Sequence, residues 1–168
     1  MKSNTSIYSD LLKSIKTVDE LNQFSSEIDN LLSALFKTQE KFFLLALEKI
    51  GIENSQNLKE AFAKNSIDLK NKELIKDFLE KLKAELGKQK SLKIIIAFEP
   101  SAQTVEHIHN WTEANLGPGF VLDLSFDQTF LGGAIVAFNG EYRDLTVKKM
   151  LLQIFETKRK EILSYSNK

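Results

Sequence analysis

The chain has 168 residues, enough for one ordinary domain or two small ones. Hydrophobic residues make up 42% and include 12 Phe, which argues against a disordered chain and predicts a real core. The 23 basic and 23 acidic residues cancel, which argues against a nucleic-acid-binding protein with an overall basic excess. Because there is no cysteine, disulfides and cysteine-ligated metals are excluded, and a reducing compartment is favoured.

Membrane-spanning and secreted proteins are also disfavoured. No apolar run approaches the ~18 residues needed to cross a bilayer. The first ten residues, MKSNTSIYSD, lack the apolar core of a signal peptide. We therefore expect a soluble protein, which can still be part of a membrane complex.

The charge is unevenly distributed along the second half of the chain. Residues 91–144 carry two basic and seven acidic groups, a net charge of −5. Residues 145–168 carry six basic and two acidic groups, a net charge of +4. We interpret the basic end first as a solvated helix terminus, where lysine suits the helix dipole, rather than as a phosphate or lipid site.

The first half of the sequence predicts helices. Residues 5–15 can form a short helix. Thr17 and Glu20 have the spacing of a capping box, and the apolar stripe that follows extends to Leu35. Residues 38–50 are apolar all round, which predicts a central third helix.

Two more helices complete this part. Gly51 is predicted to end the third helix. Ser55 and Asn71 are candidate N-caps of the fourth and fifth helices, and Gly87 is the predicted end of the fifth. Residues 1–90 therefore predict an all-helical bundle.

After Lys90 the pattern becomes mixed. Lys93–Phe98 contains three consecutive isoleucines, typical of a buried strand. Ser101 begins a helix that Gly117-Pro118 ends, and its predicted inner face is Val105, Ile108, Thr112 and Leu116. Phe120–Phe126 alternates in polarity, which predicts a strand with one buried face.

The last segment predicts a hairpin and a helix. Ala134–Phe138 and Glu141–Arg143 are short strands joined by Asn139-Gly140, a pair that favours a tight hairpin turn. Either Asp144 or Thr146 is the predicted cap of the final helix. Its predicted inner face is Val147, Leu151, Ile154 and Ile162. Residues 91–168 thus predict a small β-α-β-β-β-α domain, and the whole chain an α+β protein.

The candidate chemical groups favour structural roles. His107 and His109 are two residues apart on a helix and point in different directions, so they cannot coordinate one metal ion. We expect a solvated helix face on which His107 stacks with Trp111. The pair Gly132-Gly133 precedes a strand rather than a helix, which favours close backbone approach over phosphate binding.

The remaining acidic residues also lack the partners that catalysis needs. Asp123, Asp127 and Asp144 lie at a strand, a strand end and a helix start, and no His, Ser or Lys is placed to work with them. The sequence therefore predicts no catalytic residue, no cofactor and no metal ligand. An apolar ligand pocket along Phe42–Ile50 is a weaker interpretation than core packing.

The order of elements in the C-terminal half resembles one known family. LKIIIAFEPSAQTVEHIHNWTEANLG and FVLDLSFDQTFLGGAIVAFNGEYRDLTVKKMLLQIF are similar to the C-terminal part of F-type ATP synthase delta subunits, called oligomycin-sensitivity-conferring protein in mitochondria. The resemblance covers residues 92–155. Its signature residues here are Asp127, Leu131, Gly132, Gly133, Asn139, Gly140 and Asp144.

The resemblance implies a stator role and no catalytic activity of its own. Members connect the catalytic head to the b-subunit stalk on the cytoplasmic face of the cell membrane and so support proton-coupled ATP synthesis. It implies that the helical domain binds N-terminal helices of the alpha subunits and that the C-terminal domain binds the ends of the b subunits. Candidate contact residues in the helical domain are Tyr8, Leu11, Leu12, Phe42, Phe43 and Leu47.

Three alternatives remain open from the sequence. The E-type stalk proteins of archaeal or vacuolar rotary ATPases also end in a small α+β domain, but their N-terminal half is one long charged helix, unlike the capped segments here. An enzyme could use the acidic surface of residues 91–144. A small RNA-binding module is a third, although the strands lack exposed aromatic pairs in a basic surround.

Overall fold

The computed structural model describes residues 5–36 and 41–166, and the chain divides into two compact units, Met1–Lys90 and Ser91–Lys168. The first unit is helical and the second combines helices with a sheet, so the predicted α+β class is confirmed. The elements in chain order are α1 Thr5–Lys13, α2 Val18–Leu35, α3 Lys41–Lys49, α4 Ile52–Lys64, α5 Lys72–Leu86, β1 Lys90–Ile96, α6 Ala102–Leu116, β2 Phe120–Phe126, β3 Gly133–Phe138, β4 Glu141–Thr146 and α7 Val147–Ser166.

The starts of α2 and α5 follow from local capping chemistry. The Thr17 hydroxyl accepts the Glu20 amide, and the Glu20 carboxylate accepts the Thr17 amide at 3.0 Å, which is the predicted capping box. The Asn71 side chain accepts the amides of Glu73 and Leu74. Both caps satisfy helix amides that have no partner within the helix.

Two predictions for the helical unit are wrong. The third helix is not central, because Leu44 and Leu45 are exposed while Phe43 and Leu47 are buried. Only one side of its apolar surface therefore packs inside this unit. Ser55 does not cap α4; it lies buried within that helix.

The N-terminus of α4 has an acceptor from a different helix instead. The Glu27 carboxylate on α2 accepts the Gly51 amide at 3.3 Å and the Asn54 side-chain amide at 2.7 Å. A carboxylate at a helix N-terminus also interacts favourably with the helix dipole. One side chain therefore links two helices at a helix start where Gly51 offers no side-chain cap.

The second unit contains a four-stranded sheet in the order β2-β1-β3-β4. β3 pairs antiparallel with both β1 and β4, and α6 supplies the crossover from β1 to its other neighbour, β2. One face of the sheet packs with α6 to form the core, whose buried members are Leu92, Ile94, Ile96, Phe120 and Leu122. Strand β1 is therefore the centre of this core, as its isoleucines predicted.

The hairpin between β3 and β4 has the predicted turn. Asn139 has a φ of 50° and Gly140 a φ of 80°, the left-handed conformations that a two-residue hairpin loop requires. The returning strand β4 is longer than predicted and extends to Thr146. Thr146, not Asp144, caps the final helix, since its hydroxyl accepts the Lys149 amide at 3.3 Å.

Several burial predictions in this unit are wrong. His109 lies buried on α6 rather than on a solvated face, and Leu116 of the predicted inner face is exposed. In β2, the neighbours Val121 and Leu122 are both buried and Phe126 is exposed, so the strand has two covered faces at its start and an open end. The alternation of polarity alone did not distinguish these ends.

Helix α7 departs furthest from expectation. Its predicted inner residues Val147, Leu151 and Ile154 are exposed, and every described side chain from Val147 to Lys160 is exposed. Ile162 lies outside the described side chains. The helix therefore does not use its apolar stripe to build the core of its own unit.

The glycine pair allows a close approach between the start of β3 and the start of α7. Gly132 and Gly133 have φ values of 151° and 85°, and the Gly132 carbonyl accepts the Val147 amide at 3.0 Å. A Cβ built on Gly133 would collide with the Leu145 carbonyl oxygen and the Thr146 Cα. This confirms the prediction that the pair serves close backbone approach.

Gly133→Val is expected to destabilise the protein by at least ~1–3 kcal/mol, because a β-branched residue is strained at this φ and its Cβ meets backbone atoms. Urea denaturation of the full chain, followed by circular dichroism, measures the change. Gly140→Asn is the matched control, since Gly140 also has a positive φ, asparagine tolerates it, and the space around it is open. Equal denaturation midpoints for Gly133→Val and the natural chain would refute this role.

Candidate partner-binding surfaces

A groove on the helical unit lies between α1 and α5. It has a volume of about 240 Å³ and is lined by Ile7, Tyr8, Asn65, Ile67, Leu74, Asp77, Phe78 and Lys81. Ile7 and Leu74 are large apolar side chains that remain 37% and 47% exposed in it. An apolar floor with a few polar groups at its rim is the form of site that accepts the apolar face of a helix.

The groove has a rigid base because aromatic rings connect four helices beneath it. Tyr8 on α1 packs against Phe78 on α5, with ring centroids 5.1 Å apart. Phe78 packs edge-on to Phe62 of α4 at 5.2 Å, and Phe62 contacts Phe43 of α3 at 6.4 Å. Such pairs add to the stability that burial itself provides. The wall formed by α1 is thereby held in place from below.

The rim of the groove carries an ion pair. Lys81 donates to Asp77 at 2.6 Å, and this hydrogen bond raises the pKa of the Lys81 ammonium. Burial raises the pKa of the Tyr8 hydroxyl. Both groups therefore keep their protons at neutral pH, and the rim presents hydrogen-bond donors together with the Asp77 carboxylate.

The candidate contact residues of the helical unit occupy different environments. Tyr8 lines the groove, and Leu12 is half-buried. Leu11, Phe43 and Leu47 lie in the core, so in this packing they position the helices rather than offer a surface. The Phe42 side chain lies outside those that the structure describes. Sequence reasoning missed Ile7 and Leu74, because an exposed apolar residue on a helix has the same local pattern as a buried one.

The second unit presents helix α7. Val147, Met150, Leu151, Ile154 and Phe155 recur at intervals of three and one, so they form one stripe along the helix. Each of these side chains is at least 38% exposed, and Phe155 reaches 66%. A contiguous exposed apolar stripe of this kind marks an interaction site.

The glycine pair and Asp144 of the signature lie near the start of this helix, whereas Asn139 and Gly140 form the turn at the other end of β3 and β4. Asp127, at the end of β2, accepts the Thr129 amide at 2.9 Å and the Thr129 hydroxyl at 2.7 Å. Asp144 accepts the Thr146 amide at 2.9 Å. Leu131, next to the glycine pair, is 79% exposed. The signature therefore combines two turn-forming carboxylates with an exposed leucine.

The two carboxylates share one electrostatic feature. Hydrogen bonds from the Thr129 hydroxyl and amide lower the pKa of Asp127, and those from the Thr146 hydroxyl and amide lower the pKa of Asp144. The stabilisation from each carboxylate is complete above the pKa of the unfolded chain. It is lost as pH falls through the lower pKa of the folded state.

The part of the chain that the structure describes contains neither a metal-ligand cluster nor a membrane-spanning helix. Within residues 5–36 and 41–166, no three His, Cys, Asp or Glu residues come together as a metal site. No helix in those ranges has the length and apolar character to cross a bilayer. The arrangement defines a class of protein: two compact units whose prominent features are exposed apolar surfaces.

A comparison with known families places the chain within this class. The family model for the ATP synthase delta (OSCP) subunit matches residues 5–157, which includes most of both units. The chain belongs to the ATP synthase delta (OSCP) family and is a peripheral-stalk subunit, a structural component of the ATP synthase. Membership implies association with ATP synthase subunits such as alpha and b. A search of curated protein sequences finds no match to the chain.

Replacing both turn carboxylates, Asp127→Asn with Asp144→Asn, is expected to flatten the acid limb of the stability curve. At neutral pH the natural chain should be the more stable, because a carboxylate accepts hydrogen bonds more strongly than an amide. The difference should shrink as pH falls below 3.8, the ordinary value for these groups. Urea midpoints at several pH values measure it.

Asp123→Asn is the matched control, since it removes a carboxylate from the same unit outside the two turns. A stability difference between the natural and doubly substituted chains that stays constant from neutral pH into the acid limb would contradict this assignment.

Proposed function

We propose that this protein is the delta subunit of an F-type ATP synthase, the stator connector that links the catalytic head to the b-subunit stalk. The observation that carries the proposal is the pairing of two separate units, each with its own exposed apolar surface, in a chain matched by the delta family. A connector needs two binding surfaces and requires no chemistry of its own.

The helical unit is proposed to bind the N-terminal helix of an alpha subunit in the groove between α1 and α5. An amphipathic helix would cover the exposed parts of Ile7 and Leu74, while its polar side chains meet Asp77 and Lys81 at the rim. Burying apolar area contributes roughly 25 cal/mol per Å² before the cost of immobilisation.

The second unit is proposed to bind the C-terminal end of the b-subunit stalk through the stripe on α7. The stripe is long enough for more than two helical turns, which suits a helical stalk segment. The exposed Leu131 lies beside the point where Gly132 contacts Val147, so it extends the apolar area at the helix start.

In this role the protein transmits force rather than catalysing a reaction, and it is proposed to work peripherally on the cytoplasmic face of the cell membrane. Moving one proton charge across 100 mV is worth about 2.3 kcal/mol, and a connector that slipped would dissipate that work. The aromatic contacts beneath the groove and the glycine-mediated contact before α7 both hold a proposed binding surface firmly to its own unit.

Leu74→Glu is expected to weaken binding of an alpha-subunit N-terminal peptide by roughly tenfold or more, because the partner would bury an unpaired charge. Isothermal titration calorimetry with the full chain measures the dissociation constant. Leu74 is 47% exposed, so the substitution should leave folding intact, which circular dichroism checks.

Leu45→Glu is the matched control, since Leu45 is exposed on α3 and does not line the groove. If Leu45→Glu weakened binding of the peptide and Leu74→Glu did not, the alpha subunit would bind α3 instead of the groove. If neither variant had any effect, the helical unit would bind its partner elsewhere.

Membranes from a strain that lacks this protein are expected to hydrolyse ATP without pumping protons, because the head is no longer held by the stalk. Adding the purified protein should restore pumping, measured as quenching of a pH-sensitive dye. Leu151→Asp, in the α7 stripe, should restore less, whereas Asp123→Asn should restore fully. If ATP hydrolysis still drives proton pumping normally in the deletion strain, the stator proposal is wrong, and an enzyme or an RNA-binding module is favoured instead.

A further inference from the structure

The stripe on α7 has basic residues along one edge, which the proposed stalk contact does not by itself explain. Lys148 and Arg159 are eleven residues apart, which places them on the same side of a helix. That side adjoins the edge of the stripe formed by Phe155. From Val147 to Lys160 the helix has five basic residues and one acidic residue, a net charge of +4.

The rest of the same unit has the opposite charge. Residues 91–144 have a net charge of −5. An anionic lipid surface would be repelled by the net negative charge of this part of the same unit, which opposes binding. A second copy of the chain would bring two helices of net charge +4 together, which is unfavourable as well.

The stripe also has the width of a helix contact. Its residues span less than half of the helix circumference, from Met150 on one edge to Phe155 on the other. The i, i+3, i+4, i+7 and i+8 spacing is that of anchor residues for one partner helix. The exposed Leu152 lies on the other side of the Lys148 and Arg159 row, so this basic row runs through an apolar surface. Basic residues within an apolar contact select a partner and its orientation by charge.

We propose that α7 recognises an amphipathic helix with an acidic border, whose apolar side covers the stripe and whose carboxylates meet the row of Lys148 and Arg159. The proposal rests on the stator function above and deepens it, because it specifies the charge of the stalk segment. Binding of α7 to phosphatidylglycerol membranes, or to a second copy of the chain, is an alternative result that the test distinguishes.

The experiment uses the full chain and a synthetic peptide of the C-terminal segment of the b subunit from the same genome. Dissociation constants are measured by fluorescence anisotropy at low and high ionic strength. The natural chain should bind more weakly at high salt, because screening reduces attraction between exposed charges. Arg159→Glu should weaken binding about tenfold at low salt and reduce the salt dependence.

Lys93→Glu is the matched control, since Lys93 is exposed on β1 of the same unit and not on α7, and it should change binding little. Leu151→Asp tests the stripe itself and should weaken binding at every salt concentration. Arg159 is exposed in the second half of α7, away from the contacts that begin the helix, so its substitution should leave the denaturation midpoint unchanged.

The results separate this inference from the proposed function. Binding that is weakened by Leu151→Asp but indifferent to salt and to Arg159→Glu would overturn the acidic-partner inference and leave the stalk contact standing. Binding that no α7 variant alters would overturn the inference as well. If the b peptide fails to bind the natural chain, the stalk proposal fails. If phosphatidylglycerol vesicles or a second copy occupy α7 instead, the partner assignment is wrong.

Discussion

The architecture of the second unit depends on one close contact between backbone segments. The start of β3 and the junction of β4 with α7 come so near that Gly133 has no room for a Cβ, and the Gly132 carbonyl accepts the first amide of α7. An amide in the first turn of a helix has no partner within that helix, so this bond both satisfies it and anchors the helix origin. Anchoring at this point allows α7 to keep its own side chains exposed.

In the helical unit, the helix beside the proposed binding surface is anchored in a different way. Its groove is a consequence of how α1 is held: Tyr8 points inward onto Phe78, and its neighbour Ile7 is left at the groove. The Glu27 carboxylate similarly ties α2 to the start of α4. Each surface proposed for binding is therefore next to a contact that holds the helix carrying it.

Local chemistry explains which parts of the fold the sequence predicted well. The capping box of Thr17 and Glu20 and the turn of Asn139 and Gly140 involve residues within four positions of one another, and both appear as expected. The burial of His109 and the link from Glu27 to the start of α4 were missed. Those features join residues distant in sequence, so no local pattern indicates them.

The binding surfaces were the hardest part to predict, for a related reason. An amphipathic stripe indicates that a helix has an apolar neighbour, but it does not indicate whether that neighbour belongs to the same chain. The stripe of α7 was expected to face inward, whereas Leu151 and Ile154 are exposed. In a subunit of a larger complex this ambiguity is inherent, because covering apolar residues drives both folding and assembly. The exposure of the α7 stripe is thus the observation on which its proposed contact with a partner rests.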